Sequence, residues 1–147
     1  MERNRINQSP SKSVSSSGIA PSLRHACLCA KAAEEYRGKD IVVLDLRKIT
    51  PVFDFFVIVT AGSPRQMKAI ADEADRLMKE AGSKCLGAEG RESIVWILHD
   101  YGDVVFHVFS AEARENYDLE RLWGDAPTVD WQSLVSSPRT SADQPKS

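Results

Sequence analysis

The stretch DFFVIVTAGSPRQMKAIAD, Asp54 to Asp72, decides the fold. From Phe53 to Thr60 every residue but Asp54 is β-branched or aromatic, at odd and even positions alike. Such a strand is covered on both faces and so lies inside a sheet. The run ends at Gly62, and Ser63-Pro64-Arg65-Gln66 then carries every mark of a helix start. Ser63 can cap the helix, Pro64 suits the first helical position, and Gln66 completes a capping box. Met67, Ile70, Ala74, Leu77, Met78 and Ala81 recur on one face, and Gly82 stops the helix. A central strand running directly into an amphipathic helix is the joint of an α/β layer.

Working outward, Pro21 to Arg37 places Leu23, Cys27, Ala30 and Ala33 at helical spacing, with Gly38 as the stop. IVVLDL, Ile41 to Leu46, is short and β-branched, a second strand. After Gly82 the spacing predicts a short strand over Lys84 to Leu86 and then the loop GAEGRE. Ser93 to His99 and Val104 to Phe109 read as a hairpin across DYGD, whose Gly102 permits the positive φ of a tight turn. A last helix is expected from Ala111 to about Trp123, capped by Ser110 and stopped by Gly124. The expected fold class is α/β, a mixed β-sheet flanked by helices. Residues 1–20 are rich in Ser, Asn and Pro and are expected to be a disordered tail. Residues 21–125 form the domain, and 126–147 form a mostly disordered second tail that Trp131 and Leu134 could pin. Roughly a hundred residues bury a core without disulfides.

Of the 147 residues, 42% are hydrophobic and 27% charged, ordinary for a globular chain. No apolar run nears the ~20 residues of a membrane span, and no apolar h-region marks a secretory signal. Cys27, Cys29 and Cys85 are an odd number without C-x-x-C spacing, which points to free thiols in a reducing compartment. A cytoplasmic location follows. An organellar one is the alternative if the Ser- and Arg-containing leader is a transit peptide, against which Glu2 and its short length speak. Between Pro21 and Asp125 stand 14 Lys/Arg against 18 Asp/Glu, a net of −4. From Glu92 to Asp125 eight acidic residues face only Arg114 and Arg121. That half repels a polyanion, so broad nucleic-acid binding is not expected, and a basic protein partner is its natural complement.

The chemistry-bearing residues do not assemble into an active site. Gly62, Ser63 and Arg65 sit at a strand-to-helix junction, where free N–H groups attract anions. Nucleotidyltransferase-type folds carry a similar Gly-Ser there, but with an Asp-x-Asp pair to hold Mg²⁺. This chain has no Asp-x-Asp, and its downstream KCLGAEG offers Glu89 alone, so a nucleotide-binding module or residual nucleotidyltransferase-type enzyme using the Gly62-Ser63 loop is the alternative reading and not the leading one. His99 and His107 alternate with Ile, Val and Phe, as histidines buried beside a core do, so no metal site and no cofactor are expected. No G-x-S-x-G elbow occurs, and Cys85 has no histidine near it in sequence. What remains is a surface: Trp96, Tyr101, Tyr117 and Trp123 lie in the acidic half, a combination typical of protein-binding faces.

In order along the chain, DIVVLDLR, DFFVIVTAGSPRQMKAIAD, Glu89-Gly90, WILHDYGDVVFHVF and RENYDLERLW resemble the ribosomal silencing factor family, RsfS, also called Iojap. The match covers Ala32 to Ala126 and leaves the tails outside. The resemblance implies a nucleotidyltransferase-like fold without catalytic residues and therefore a non-enzymatic protein. It implies binding to the large ribosomal subunit through the ribosomal protein of the fourteenth large-subunit family. Small-subunit joining would then be blocked sterically, lowering translation under nutrient limitation. It further implies a homodimer off the ribosome. On this chain the partner surface maps onto Trp96 and Leu98 as apolar anchors and Asp100 and Asp103 as acidic contacts. Tyr101 stands between them at a position where the family often has Leu. His107, Tyr117, Glu120 and Trp123 would shape or support that face.

Overall fold

The computed structural model describes residues 19–135. The expected tail over 1–20 therefore falls almost wholly outside the described residues, as does 136–147. In chain order the elements are α1 (Pro21–Glu35), β1 (Lys39–Asp45), β2 (Phe55–Ala61), α2 (Pro64–Glu80), β3 (Gly87–Glu89), β4 (Trp96–Asp100), β5 (Val104–Ser110), α3 (Ala111–Tyr117) and α4 (Leu119–Leu122). The five strands form one sheet in the order β1-β2-β5-β4-β3. Only β2 and β5 run parallel, Phe55 beside Val104 through Ala61 beside Ser110, and the other neighbours are antiparallel. The sheet is thus mixed, and every residue of β2 is buried, as its two-faced apolar sequence requires.

Alternation sorts the strands onto two faces. Val57, Val59, Ile97, Val104, Phe106 and Val108 pack beneath α1 and α2, together with Ala30, Met67, Ile70 and Met78 from those helices. Leu44, Phe56, Ile58, Val105 and Phe109 point the other way. There the short α3 and α4 supply Ala113 and Leu119, and Trp123 beyond α4 completes the cover. One face is therefore closed by two long helices and the other by a thin, partial cover. This asymmetry leaves β4 half open on the thinly covered side.

The helix junctions use the capping chemistry expected of them, with one shift. Ser63 Oγ accepts from the Gln66 N–H at 3.1 Å, and the Gln66 side chain takes the Gly62 N–H. Its amide also donates to the carbonyls of Tyr36 (2.8 Å) and Arg37 (3.1 Å), so one side chain fastens the start of α2 to the end of α1. At that end the left-handed residue is Arg37 (φ 64°), not Gly38. Gly38 N–H reaches the Ala33 carbonyl at 2.8 Å, and a Cβ there would collide with the Val59 side chain. Glycine is needed for close approach to the sheet rather than for its φ.

Several expected boundaries move. The short third strand occupies Gly87–Glu89 inside GAEGRE and pairs with Asp100 to Leu98. Lys84 to Leu86 is the approach to it, because Leu98 and Asp100 set the register and only the later residues lie opposite them. The final helix is broken at Asp118, whose backbone (φ 8°, ψ 64°) leaves helical geometry. Finally, the packed chain runs past Asp125. Asp45 N–H donates to the Pro127 carbonyl (2.9 Å) and Val129 N–H to the Val43 carbonyl (2.8 Å), which lays the chain along the free edge of β1. Trp131 is buried in the core beneath α1 and α2 and pins that segment. No helix among the described residues is long and apolar enough to cross a membrane.

Candidate protein-docking face

β4 turns Trp96, Leu98 and Asp100 toward the thinly covered side, and Ile97 and His99 toward α2. Trp96 is held on three sides. Its ring lies 4.9 Å from Phe109 and 4.8 Å from Tyr117 between centroids, and its indole N–H donates to His107 Nδ1 at 3.2 Å. Below it, Ser93 Oγ accepts from the N–H groups of Val95 and Trp96, and Gly90 (φ 73°) turns the chain into the strand. The result is an open cleft lined by Glu89, Gly90, Ser93, Trp96 and Leu98. Tyr117, 51% exposed, continues it as an aromatic rim.

His107 stands inside this face, only 3% exposed. Because Nδ1 accepts from Trp96, the proton must sit on Nε2, and Nε2 has no partner among the described residues. Burial pushes its pKa down to about 3, so the ring is neutral and acts as a wedge between Phe56 and Trp96. Glu120 works at one remove. It grips Arg114 through Nε and Nη2, both at 3.1 Å, while Arg114 Nη1 donates to Thr60 Oγ1 at 2.9 Å. That clamp ties α4 to the end of β2. Trp123 packs edge-on to Phe56 at 5.8 Å and closes the other end of the same layer.

The turn divides the residues that sequence grouped together. Asp100 Oδ1 accepts from Gly102 N–H at 2.8 Å, and Gly102 takes the expected positive φ of 94°. Asp100 lies on the Trp96 side. Asp103 instead meets His25 Nδ1 of α1 at 3.0 Å, and its backbone carbonyl accepts from Asp54 and Phe55. Tyr101 is 5% exposed and packs in the core beneath α1 and α2. Its hydroxyl donates to Asp75 Oδ1 (3.3 Å) and meets His99 Nδ1 (3.1 Å). The expected five-residue patch thus resolves into Trp96, Leu98 and Asp100 facing out, with Asp103 and Tyr101 bracing the turn from the opposite face. The physical reason is that Tyr101 continues the β4 alternation on the side of Ile97 and His99, and the turn after it brings Asp103 to His25 on α1.

Sequence reasoning missed the apolar approach to β4. Expected within the first hairpin strand, Ile94 and Val95 lie before it and are exposed, Ile94 by 64%, and Leu86 is exposed too. The signal was present in the polar GREs segment before them, which ends the loop too late for a strand to begin at Ser93. Gly62, Ser63 and Arg65 lie at the far end of β2 from the turn, about 20 Å away at the rise of a seven-residue strand. There the Gly62 N–H and the Ser63 hydroxyl serve Gln66. The thiols offer no activated nucleophile. Burial raises all three, Cys27 to about 11, and Cys29 and Cys85 in the same direction.

Comparison with known proteins places this geometry among relatives. Residues 20–147 match the family model described as ribosomal silencing factor during starvation, RsfS. The chain is 39% identical over 109 residues to the ribosomal silencing factor RsfS of Halalkalibacterium halodurans, covering 74% of this chain and 93% of that one. It superimposes on a crystal structure of a Chromobacterium violaceum protein with a TM-score of 0.66 at 44% identity, over 69% and 84% of the two chains. A more distant relative, 31% identical over 91 residues, is the mitochondrial assembly of ribosomal large subunit protein 1 of Mus musculus. That match spans 58% of this chain and 39% of the mouse protein.

Proposed function

This chain belongs to the ribosomal silencing factor family, whose members are regulators and not enzymes, and we propose that it silences by docking its β4 face on the large ribosomal subunit. The observation that carries the reading is the pre-formed aromatic anchor, Trp96 fixed by His107, Phe109 and Tyr117, on the strand face that ends at the acidic Asp100. An anchor already held in one rotamer loses little entropy on binding. Around it the acidic excess of residues 92–125 complements a basic protein. The partner is the ribosomal protein of the fourteenth large-subunit family, and the bound factor sterically blocks joining of the small subunit, lowering translation under nutrient limitation. The scaffold is nucleotidyltransferase-like and lacks the carboxylate pair that chemistry would need. The cytoplasm is the place of action, or an organelle where the ribosomes are organellar, as the name of the mouse relative illustrates.

The test is a sedimentation assay in which large subunits saturated with the protein are mixed with small subunits. Joining is expected to fall, and undiminished joining at saturation refutes the steric block. Trp96→Ala is expected to weaken binding by about 2 kcal/mol, roughly 30-fold, as loss of a central aromatic anchor does. Asp100→Lys reverses the charge and should weaken it further at low salt than at high salt. Wild-type affinity in both variants places the interface elsewhere. The same runs read the state of the free protein, for which a homodimer is expected.

A further inference from the structure

Three side chains far apart in sequence converge on the face opposite the docking anchor. Asp75 comes from α2, Cys85 from the connection between α2 and β3, and His99 from β4. Each offers one ligand atom, and the three atoms lie within 4.8 Å of one another. Asp75 and His99 border a cleft also lined by Lys68, Asp72, Arg91 and Ile97. We propose that Asp75, Cys85 and His99 form a binding site for a single divalent transition-metal ion of the zinc type.

The donor set selects the class of ion. A thiolate and an imidazole with one carboxylate suit Zn²⁺, whereas Mg²⁺ and Ca²⁺ require oxygen ligands in greater number. Zinc–ligand bonds of about 2.0–2.3 Å in tetrahedral array put ligand atoms roughly 3.5 Å apart. The cluster therefore has to contract by about 1.3 Å at most, and its present partners permit that. Asp75 Oδ2 is held by a long ion pair to Lys79 at 3.8 Å and Oδ1 by the Tyr101 hydroxyl at 3.3 Å, and Cys85 donates to the Gly87 carbonyl at 3.2 Å. The Tyr101 hydroxyl touches both His99 Nδ1 and Asp75 Oδ1. A group that orients two ligands at once is the usual second layer of a metal site. Binding would displace the Cys85 thiol proton, cross-link the α2–β3 connection to β4, and leave a fourth position for water.

The experiment titrates the full chain, reduced with a phosphine that does not bind metal, with Co²⁺ alone and with Zn²⁺ alone. One equivalent of Co²⁺ is expected to give a thiolate-to-cobalt charge-transfer band that Zn²⁺ bleaches. Cys85→Ser should abolish the band, and Asp75→Asn should weaken binding by about tenfold or more. The Cys27→Ser/Cys29→Ser double variant should keep the band. Tyr101→Phe should weaken binding on the order of 10–100-fold, the usual effect of losing an orienting partner. No band in the wild type, or a band that survives Cys85→Ser, overturns the site. Because Asp75 is partly exposed on a helix, Asp75→Asn keeps the fold and decides the matter if Cys85→Ser does not fold.

Discussion

Acidification should destabilise this protein through His107 specifically. The folded pKa is about 3, lowered by burial from the ordinary 6.5. Its geometry acts in the same direction, since a second proton would have to go on Nδ1, which already accepts from Trp96. The folded state refuses the proton that the unfolded state takes up below pH 6.5. The contribution to stability is therefore fully present above 6.5 and is lost as pH falls from there toward 3. Each pH unit in that window costs about 1.4 kcal/mol, so the loss between pH 7 and pH 4.5 is about 2.5 kcal/mol. His107→Phe keeps a ring against Phe56 and Phe109 and cannot titrate. It strands the Trp96 indole N–H, a cost of about 1 kcal/mol that does not vary with pH. Urea unfolding of both proteins at pH 7, 5.5 and 4.5 separates the terms, because carboxylates and the similarly lowered His99 are common to both and cancel in the difference. The gap between wild type and variant should change by about 2.5 kcal/mol over that range. A gap constant within about 0.5 kcal/mol, under half a pH unit's worth, refutes the reasoning.

Further outcomes follow from other parts of the layer. Glu120→Ala leaves the mostly buried Arg114 with Thr60 alone and should cost about 1–2 kcal/mol in urea unfolding. An unchanged midpoint would mean that α4 is held by packing only. Gly90→Ala forces a Cβ into the Trp96 carbonyl at a positive φ, and a loss of about 2 kcal/mol or more is expected. Wild-type stability there would refute the tight turn beneath the cleft. Trp131→Ala empties a core position and should cost about 3 kcal/mol while exposing residues 126–135 to protease. Resistance to cleavage together with full stability would show that the segment stands without its anchor.

Much of the architecture was legible in the residues, because it rests on local rules. The two-faced apolar run of β2, the Ser63 cap, the amphipathic α2 and the Gly102 turn are each determined within a few residues of themselves. So was the alternation that sends Trp96 and Leu98 to one face and His99 to the other. Weakly patterned segments were less legible. Gly87–Glu89 has no strand-like composition and becomes a strand only because β4 offers it a register. Asp118 breaks the last helix, although nothing in ENYDLERL marks a stop.

By itself, then, the sequence determined the mixed α/β layer, the lack of a carboxylate pair for nucleotide chemistry and the acidic character of the hairpin half. These are properties of periodicity, motif and charge, which add up along the chain. Tertiary structure alone decided which partners hold the turn residues. Asp103 is drawn inward by His25, 78 residues away, and Tyr101 by Asp75, 26 residues away. It alone also brought Asp75, Cys85 and His99 together from three elements. A hydrogen bond or a ligand cluster needs atoms a few ångströms apart, and when its members are separated along the chain, only the packing of α1 and α2 on the sheet sets that distance.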